Sequence, residues 1–139
     1  MGYLIKLDTN GSHPDLLEQL ISGRLVDYIA MDIKGPLHMY KTVTKSKIDE
    51  DKIRQSIGII MKSAVPYEFR TTIPKKLLVE NDLLEMGKLL RNANRYVLQQ
   101  FTATTTLDKQ FLKHEAYSRE EMEYFRDKLK KDVPAVRLR

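Results

Sequence analysis

Short apolar runs alternate along this chain with stretches whose apolar residues recur at helical spacing. Residues 3–7 read as a strand, after which Asp8-Thr9-Asn10-Gly11 supplies turn residues and Pro14 stands where a first helical turn tolerates it. Leu16, Leu17, Leu20 and Ile21 then form one apolar stripe, and Gly23 is a fitting stop. Residues 26–33 are so dense in apolar side chains that they predict a strand buried on both faces, as in a parallel sheet. A second helix carries Ile53, Ile57, Ile60, Met61 and Ala64, and a third strand covers residues 67–72 before Ile73-Pro74. Asn81 is placed to cap a third helix bearing Leu83, Leu84, Met86, Leu89 and Leu90, and residues 96–101 give a fourth strand. Beyond a loop at 102–117, Ser118-Arg119-Glu120-Glu121 matches a capping box that opens a helix with Met122, Phe125 and Leu129 on one face. Val136 and Leu138 alternate in a last strand.

This order of strands and helices, joined by short connections, forces right-handed crossovers and a mainly parallel sheet, so the fold class is α/β. The 139 residues fit a single domain over 1–139. About five strands are too few for a complete eight-stranded barrel, which takes ~250 residues. The pattern leaves open a doubly wound sheet or part of a larger barrel.

Composition removes several chemistries. The chain has no cysteine, which excludes disulfides, thiolate nucleophiles and iron–sulfur clusters held by its own thiolates. No apolar run approaches the ~20 residues of a membrane helix, and no leader pattern opens the chain, so no membrane partner and a cytoplasmic location are expected. The net charge of +5 is spread along the sequence. Lys128, Lys130, Lys131, Arg137 and Arg139 cluster late, but basic residues near a helix C-terminus oppose its dipole, and a nucleic-acid partner is not expected. His13, His38 and His114 show no metal or triad spacing. Met31, Met61, Met86 and Met122 fall on apolar stripes and read as core.

In a parallel α/β sheet the ligand site lies at the carboxyl ends of the strands, where the loops converge. Here the first strand leads into Asp8-Thr9-Asn10, the second ends in Asp32 with Lys34 beyond it, the third in Arg70-Thr71-Thr72 and the fourth in Gln99-Gln100. Asp8 and Asn10 have a local alternative, in turn and cap hydrogen bonds. Asp32 follows the apolar Ile29-Ala30-Met31, so its carboxylate needs a donor, a cation or water. Lys34 or Arg70 could pair with it. Gln99 and Gln100 point to opposite faces, and Gln99 is the favoured one for the site. Together these groups describe a site for a zwitterionic, hydroxylated small molecule, and Asp8 with Asp32 could hold a hard cation.

At Lys6-Leu7-Asp8-Thr9-Asn10-Gly11, Met31-Asp32-Ile33-Lys34, Phe69-Arg70-Thr71-Thr72 and Leu98-Gln99-Gln100-Phe101 the chain resembles radical S-adenosylmethionine (SAM) enzymes, in particular anaerobic ribonucleotide reductase activating proteins. The resemblance implies a partial (β/α) barrel, SAM and a four-iron cluster as cofactors, and a glycyl radical enzyme such as anaerobic ribonucleotide reductase as partner. It implies cofactor contacts at Asp8, Thr9, Asn10, Asp32, Lys34, Arg70 and Gln99, and a monovalent-cation site at Asp8, Thr9, Met31 and Asp32. Related activases use a histidine where this chain has Thr102.

The family's opening half, with its C-x3-C-x2-C motif and Gly-Gly-Glu segment, has no counterpart here. The resemblance therefore implies the C-terminal half of such an activase, inactive alone, completed by a missing N-terminal half or a second copy covering the first strand. The sequence around Met1-Gly2-Tyr3 fits a mid-domain stretch of the family. The alternative is a free-standing, self-associating half barrel that binds without catalysis.

Overall fold

Five strands pair in chain order, and every pairing is parallel. The computed structural model describes residues 2–44, 47–75, 77–101 and 116–139. The strands are β1 (Lys6–Thr9), β2 (Tyr28–Asp32), β3 (Tyr67–Ile73), β4 (Tyr96–Gln100) and β5 (Val136–Leu138). The helices are α1 (Pro14–Ser22), α2 (Tyr40–Thr44), α3 (Glu50–Lys62), α4 (Glu80–Leu89) and α5 (Arg119–Leu129), with a 3-10 turn at Leu37–Met39 before α2. The predicted α/β class holds. The sheet never reverses direction, as a doubly wound sheet would, and its stepwise progression is that of a partial (β/α) barrel.

Right-handed crossovers that always step to the next strand put the connecting helices on one face of the sheet. Strand residues facing them, among them Ile29, Met31, Phe69, Ile73, Tyr96, Leu98 and Val136, pack with Leu17, Ile53, Ile57, Ile60, Leu83, Met86, Phe125 and Leu129 in one apolar core. The alternate strand positions, Lys6, Asp8, Tyr28, Ala30, Asp32, Glu68, Arg70, Thr72, Val97, Gln99 and Arg137, lie on the opposite face. Ala30 and Val97 are buried there, apart from the helix-side core, because longer polar neighbours close over them.

Several element boundaries differ from the sequence expectation: β2 is Tyr28–Asp32 rather than 26–33, β4 stops at Gln100, and Ala64 lies beyond the end of α3 at Lys62. Strand β1 starts at Lys6 and carries Asp8 and Thr9 inside it, so these are strand rather than turn residues. Pairing decides this: Lys6 to Thr9 lie against Tyr28 to Met31, whereas Tyr3 and Leu4 fall before the start of β2 and are 90% and 88% exposed. In α4, Asn81 lies within the first turn and Val79 is the N-cap, because the Asp82 carboxylate accepts the Val79 N–H at 3.0 Å. The capping box at Ser118 forms as predicted, with Ser118 Oγ accepting from the Glu121 N–H and Glu121 from the Ser118 N–H. Most of the expected 102–117 loop, Thr102 and His114 included, lies outside the described residues.

Candidate functional site

The carboxyl end of β3 puts Arg70 directly opposite Asp32 of β2. Its terminal nitrogen Nη2 lies 3.2 Å from Asp8 Oδ1 and 3.3 Å from Asp32 Oδ1, so one guanidinium bridges the ends of β1 and β2. Lys34 Nζ approaches the other Asp32 oxygen at 3.7 Å. Both partners foreseen for Asp32 are therefore present. The four side chains carry two charges of each sign, a neutral cluster in which every ion has a counter-ion. The Arg70 side chain is only 16% exposed, whereas Asp8, Asp32 and Lys34 open to solvent. Arg70 Nε is buried with no acceptor, an unmet donor inside the cluster.

Beneath the cluster, buried hydroxyls fix the backbone that carries it. Tyr40, fully buried, accepts the Lys34 N–H at 3.0 Å. Thr71 Oγ1 donates to the Ile33 carbonyl at 2.8 Å, so the contact with Tyr96 at 2.7 Å is completed by the tyrosine's proton. Burial pushes the Tyr40 phenol up to about 12, with the Asp32 charge adding to the rise against the Lys34 hydrogen bond. Burial likewise raises the Tyr96 phenol. Both hydroxyls stay neutral around the segment Asp32-Ile33-Lys34.

On the β1 side, Gly11 adopts φ +78, the left-handed region that favours glycine. The Thr9 hydroxyl accepts its N–H at 3.0 Å, the Asn10 side chain accepts the Ser12 N–H, and the Gly11 carbonyl accepts from the buried Ser56 hydroxyl at 2.7 Å. This fixes the chain as it leaves the strand carrying Asp8.

Asp8, Asp32, Lys34 and Arg70 are thus brought together by ion pairs, and Thr72 and Gln99 stand level with each other two residues beyond Arg70 and Val97, Thr72 Oγ1 donating to Gln99 Oε1 at 3.2 Å. Gln100 points the other way, to the Tyr117 carbonyl, as the strand alternation requires. Thr9 and Met31 do not join through their side chains: Thr9 is turned to the Gly11 loop, and Met31 is fully buried in the helix-side core. Asn10 serves its own turn. A cavity of about 240 Å³ opens beside the cluster, lined by Asp32, Lys34, Arg70 and Thr72 on its polar side and by Val43, Leu77, Leu78 and Phe101 on its apolar side. That is below the ~300–1,000 Å³ usual for a small-molecule site.

Sequence reasoning missed Tyr40, Tyr96 and Glu68. Tyr40 lies in a stretch without periodicity, and Tyr96 reads as one more apolar strand residue. Glu68 carried a usable signal, a carboxylate between Tyr67 and Phe69 in an apolar strand. Burial works to raise its pKa, and hydrogen bonds from Tyr28 and Arg139 with the charges of Arg139 and Arg95 outweigh that and hold it below the usual carboxylate range.

No protein-family model matches the chain. Over 116 residues it is 35% identical to a protein of Methanocaldococcus jannaschii named as a glycyl-radical enzyme activating enzyme. The chain is similar to a glycyl radical activase. The match covers 81% of this chain and 48% of that relative, so the chain spans about half the relative's length. This similarity supports the activase family read from the four strand-end motifs. An activase family implies SAM and an iron–sulfur cluster, and the two fit this chain differently. The neutral cluster with its unmet Arg70 donor suits a zwitterion. A four-iron cluster needs thiolates, and the chain has none. Among the described residues, no group of three or more His, Cys, Asp or Glu is placed to hold a metal ion, and no helix is long and apolar enough to cross a membrane.

Proposed function

We propose that this chain is the C-terminal half of a radical SAM activating enzyme for a glycyl radical enzyme such as anaerobic ribonucleotide reductase, and that it supplies the wall that holds the amino-acid moiety of SAM. The observation that carries this reading is the neutral cluster of Asp8, Asp32, Lys34 and Arg70 at the carboxyl ends of adjacent parallel strands. Lys34 and Arg70 present cations to the cofactor's carboxylate, and Asp32 presents an anion to its ammonium group. Thr72 and Gln99, on the same face and one step further along the strands, offer a hydroxyl and an amide to ribose oxygens. When bound and reduced by one electron from a four-iron cluster, SAM supplies a 5′-deoxyadenosyl radical that takes hydrogen from a glycine of the partner. The cluster's thiolates come from outside these 139 residues, so this chain alone does not carry out the reaction.

Titration calorimetry with SAM tests the site. Asp32→Ala is expected to weaken binding at least ~10-fold, the effect of losing one charge-assisted contact. Unchanged affinity sinks the assignment. Anaerobic mixing with a reconstituted polypeptide carrying the three-cysteine motif is expected to yield 5′-deoxyadenosine, and a mixture that yields none counts against the activase reading.

The exposed Tyr3 and Leu4 beside the open edge of β1 favour a second reading, a half barrel that self-associates through that edge and binds without catalysis. A monomer in sedimentation at micromolar concentration removes it.

A further inference from the structure

We infer that Arg70 is the resident cation of the Asp8–Asp32 pair, so that this chain holds its two strand-end carboxylates together without a sodium or potassium ion. The motif resemblance assigns that pair, with Thr9 and Met31, to a monovalent cation, and the geometry differs from that assignment at three points. One guanidinium nitrogen already lies 3.2 Å from Asp8 and 3.3 Å from Asp32, in the space between the carboxylates. By strand alternation the Thr9 side chain leaves the face that carries Asp8, its hydroxyl accepting the Gly11 N–H, and the Met31 side chain is sealed in the core on that other face. Arg70 itself is well anchored, between Phe69 and Thr71 on a strand paired on both sides, with most of its side chain out of water.

An alkali ion between the same two oxygens would stand against the guanidinium in a partly buried site, where like charges repel more strongly than in water. A planar guanidinium makes directed hydrogen bonds to carboxylates, which a spherical ion cannot. With its own cation built in, and Lys34 on the other Asp32 oxygen, the cluster is neutral before any ligand arrives. The inference stands apart from the SAM reading, because it concerns the ligand-free chain and is read without SAM.

The test compares thermal unfolding of the 139-residue chain in NaCl, KCl and choline chloride at equal ionic strength, together with the 23Na NMR line width in its presence. The wild-type midpoint is expected to be the same in all three salts, and the sodium line to be no broader than with Asp8→Asn/Asp32→Asn. Arg70→Gln, which frees both carboxylates, is expected to gain a midpoint several degrees higher in NaCl or KCl than in choline, since an ion that binds only the folded state stabilises it. A wild-type midpoint that rises in sodium or potassium overturns the inference, and this arm needs no variant to fold. A folded Arg70→Gln that ignores the alkali ions also overturns it, because the carboxylates would then be no place for a cation. SAM affinity, measured separately, can fail without touching either result.

Discussion

Arg139 donates from Nη1 to the Glu68 carboxylate at 3.1 Å, across β4 and on the face of the sheet turned away from the helix-side core. Glu68 is 3% exposed, and its other oxygen accepts the Tyr28 hydroxyl at 2.8 Å. Arg139 follows β5, and in register it stands level with Gln99, beyond Val97 and Arg137. To reach Glu68 its side chain must run back over Val97, which accounts for the burial of that valine on a polar face. The contact ties the β5 edge to the middle of the sheet.

Glu68 is expected to contribute acid-sensitive stability. Its pKa is held low in the folded chain, so the unfolded chain binds the proton more readily. The contribution is complete above the ordinary glutamate value and is lost as pH falls through it toward the folded value. Glu68→Gln should cost about 1–2 kcal/mol at pH 7 and progressively less in acid, because one charged hydrogen bond is weakened and the partner is half exposed. Urea unfolding of both proteins from pH 7 to pH 3 gives the comparison, and a difference independent of pH contradicts it.

Tyr40→Phe removes the acceptor of the Lys34 N–H and leaves the apolar packing almost unchanged. A loss of about 1 kcal/mol at neutral pH follows from one unmet backbone donor. The variant should also fare better in alkali. The wild-type phenol ionises near 10 when unfolded and only at about 12 when folded, so the stability it confers is intact below 10 and fades as pH rises toward 12. Circular dichroism melts from pH 8 to pH 12 should show a shallower alkaline decline for Tyr40→Phe. Parallel declines would place the tyrosine's ionisation elsewhere.

Gly11→Ala meets both a backbone and a packing obstacle. At φ +78 a non-glycine residue costs about 1–2 kcal/mol. The added Cβ would also overlap Cε of Met31, whose flexible end can give way only inside a packed core. The sum is expected near ~2 kcal/mol or above, read as a lower urea midpoint at unchanged slope. A midpoint within error of wild type would mean that this turn is not held as described.

The alternation of strands and helices was legible because each element carries its own signal: periodic leucines in α1 and α4, the box at Ser118, and runs such as Ile29-Ala30-Met31 that suit only a buried strand. The 3-10 turn and α2 were not, since residues 37–44 have no such period and take their shape from burying Leu37 and Tyr40. The start of β1 at Lys6 was hidden for a related reason. Tyr3 and Leu4 have strand-like composition, and only the position of β2 shows that they have no neighbour to pair with.

Within the site, the sequence by itself determined which residues stand at strand ends, because the carboxyl end of a parallel strand is where its apolar run gives way to polar groups. Asp8, Asp32, Lys34, Arg70, Thr72 and Gln99 were all found there. Tertiary structure alone decided which of them touch. The register of β2 against β3 sets Arg70 opposite Asp32, and the step to β1 brings Asp8 to the same guanidinium, a relation over 62 residues that no local pattern encodes. The two-residue alternation, once anchored by that register, also decides that Thr9 and Met31 lie on the helix side of the sheet while Asp8 and Asp32 lie on the face that carries Arg70.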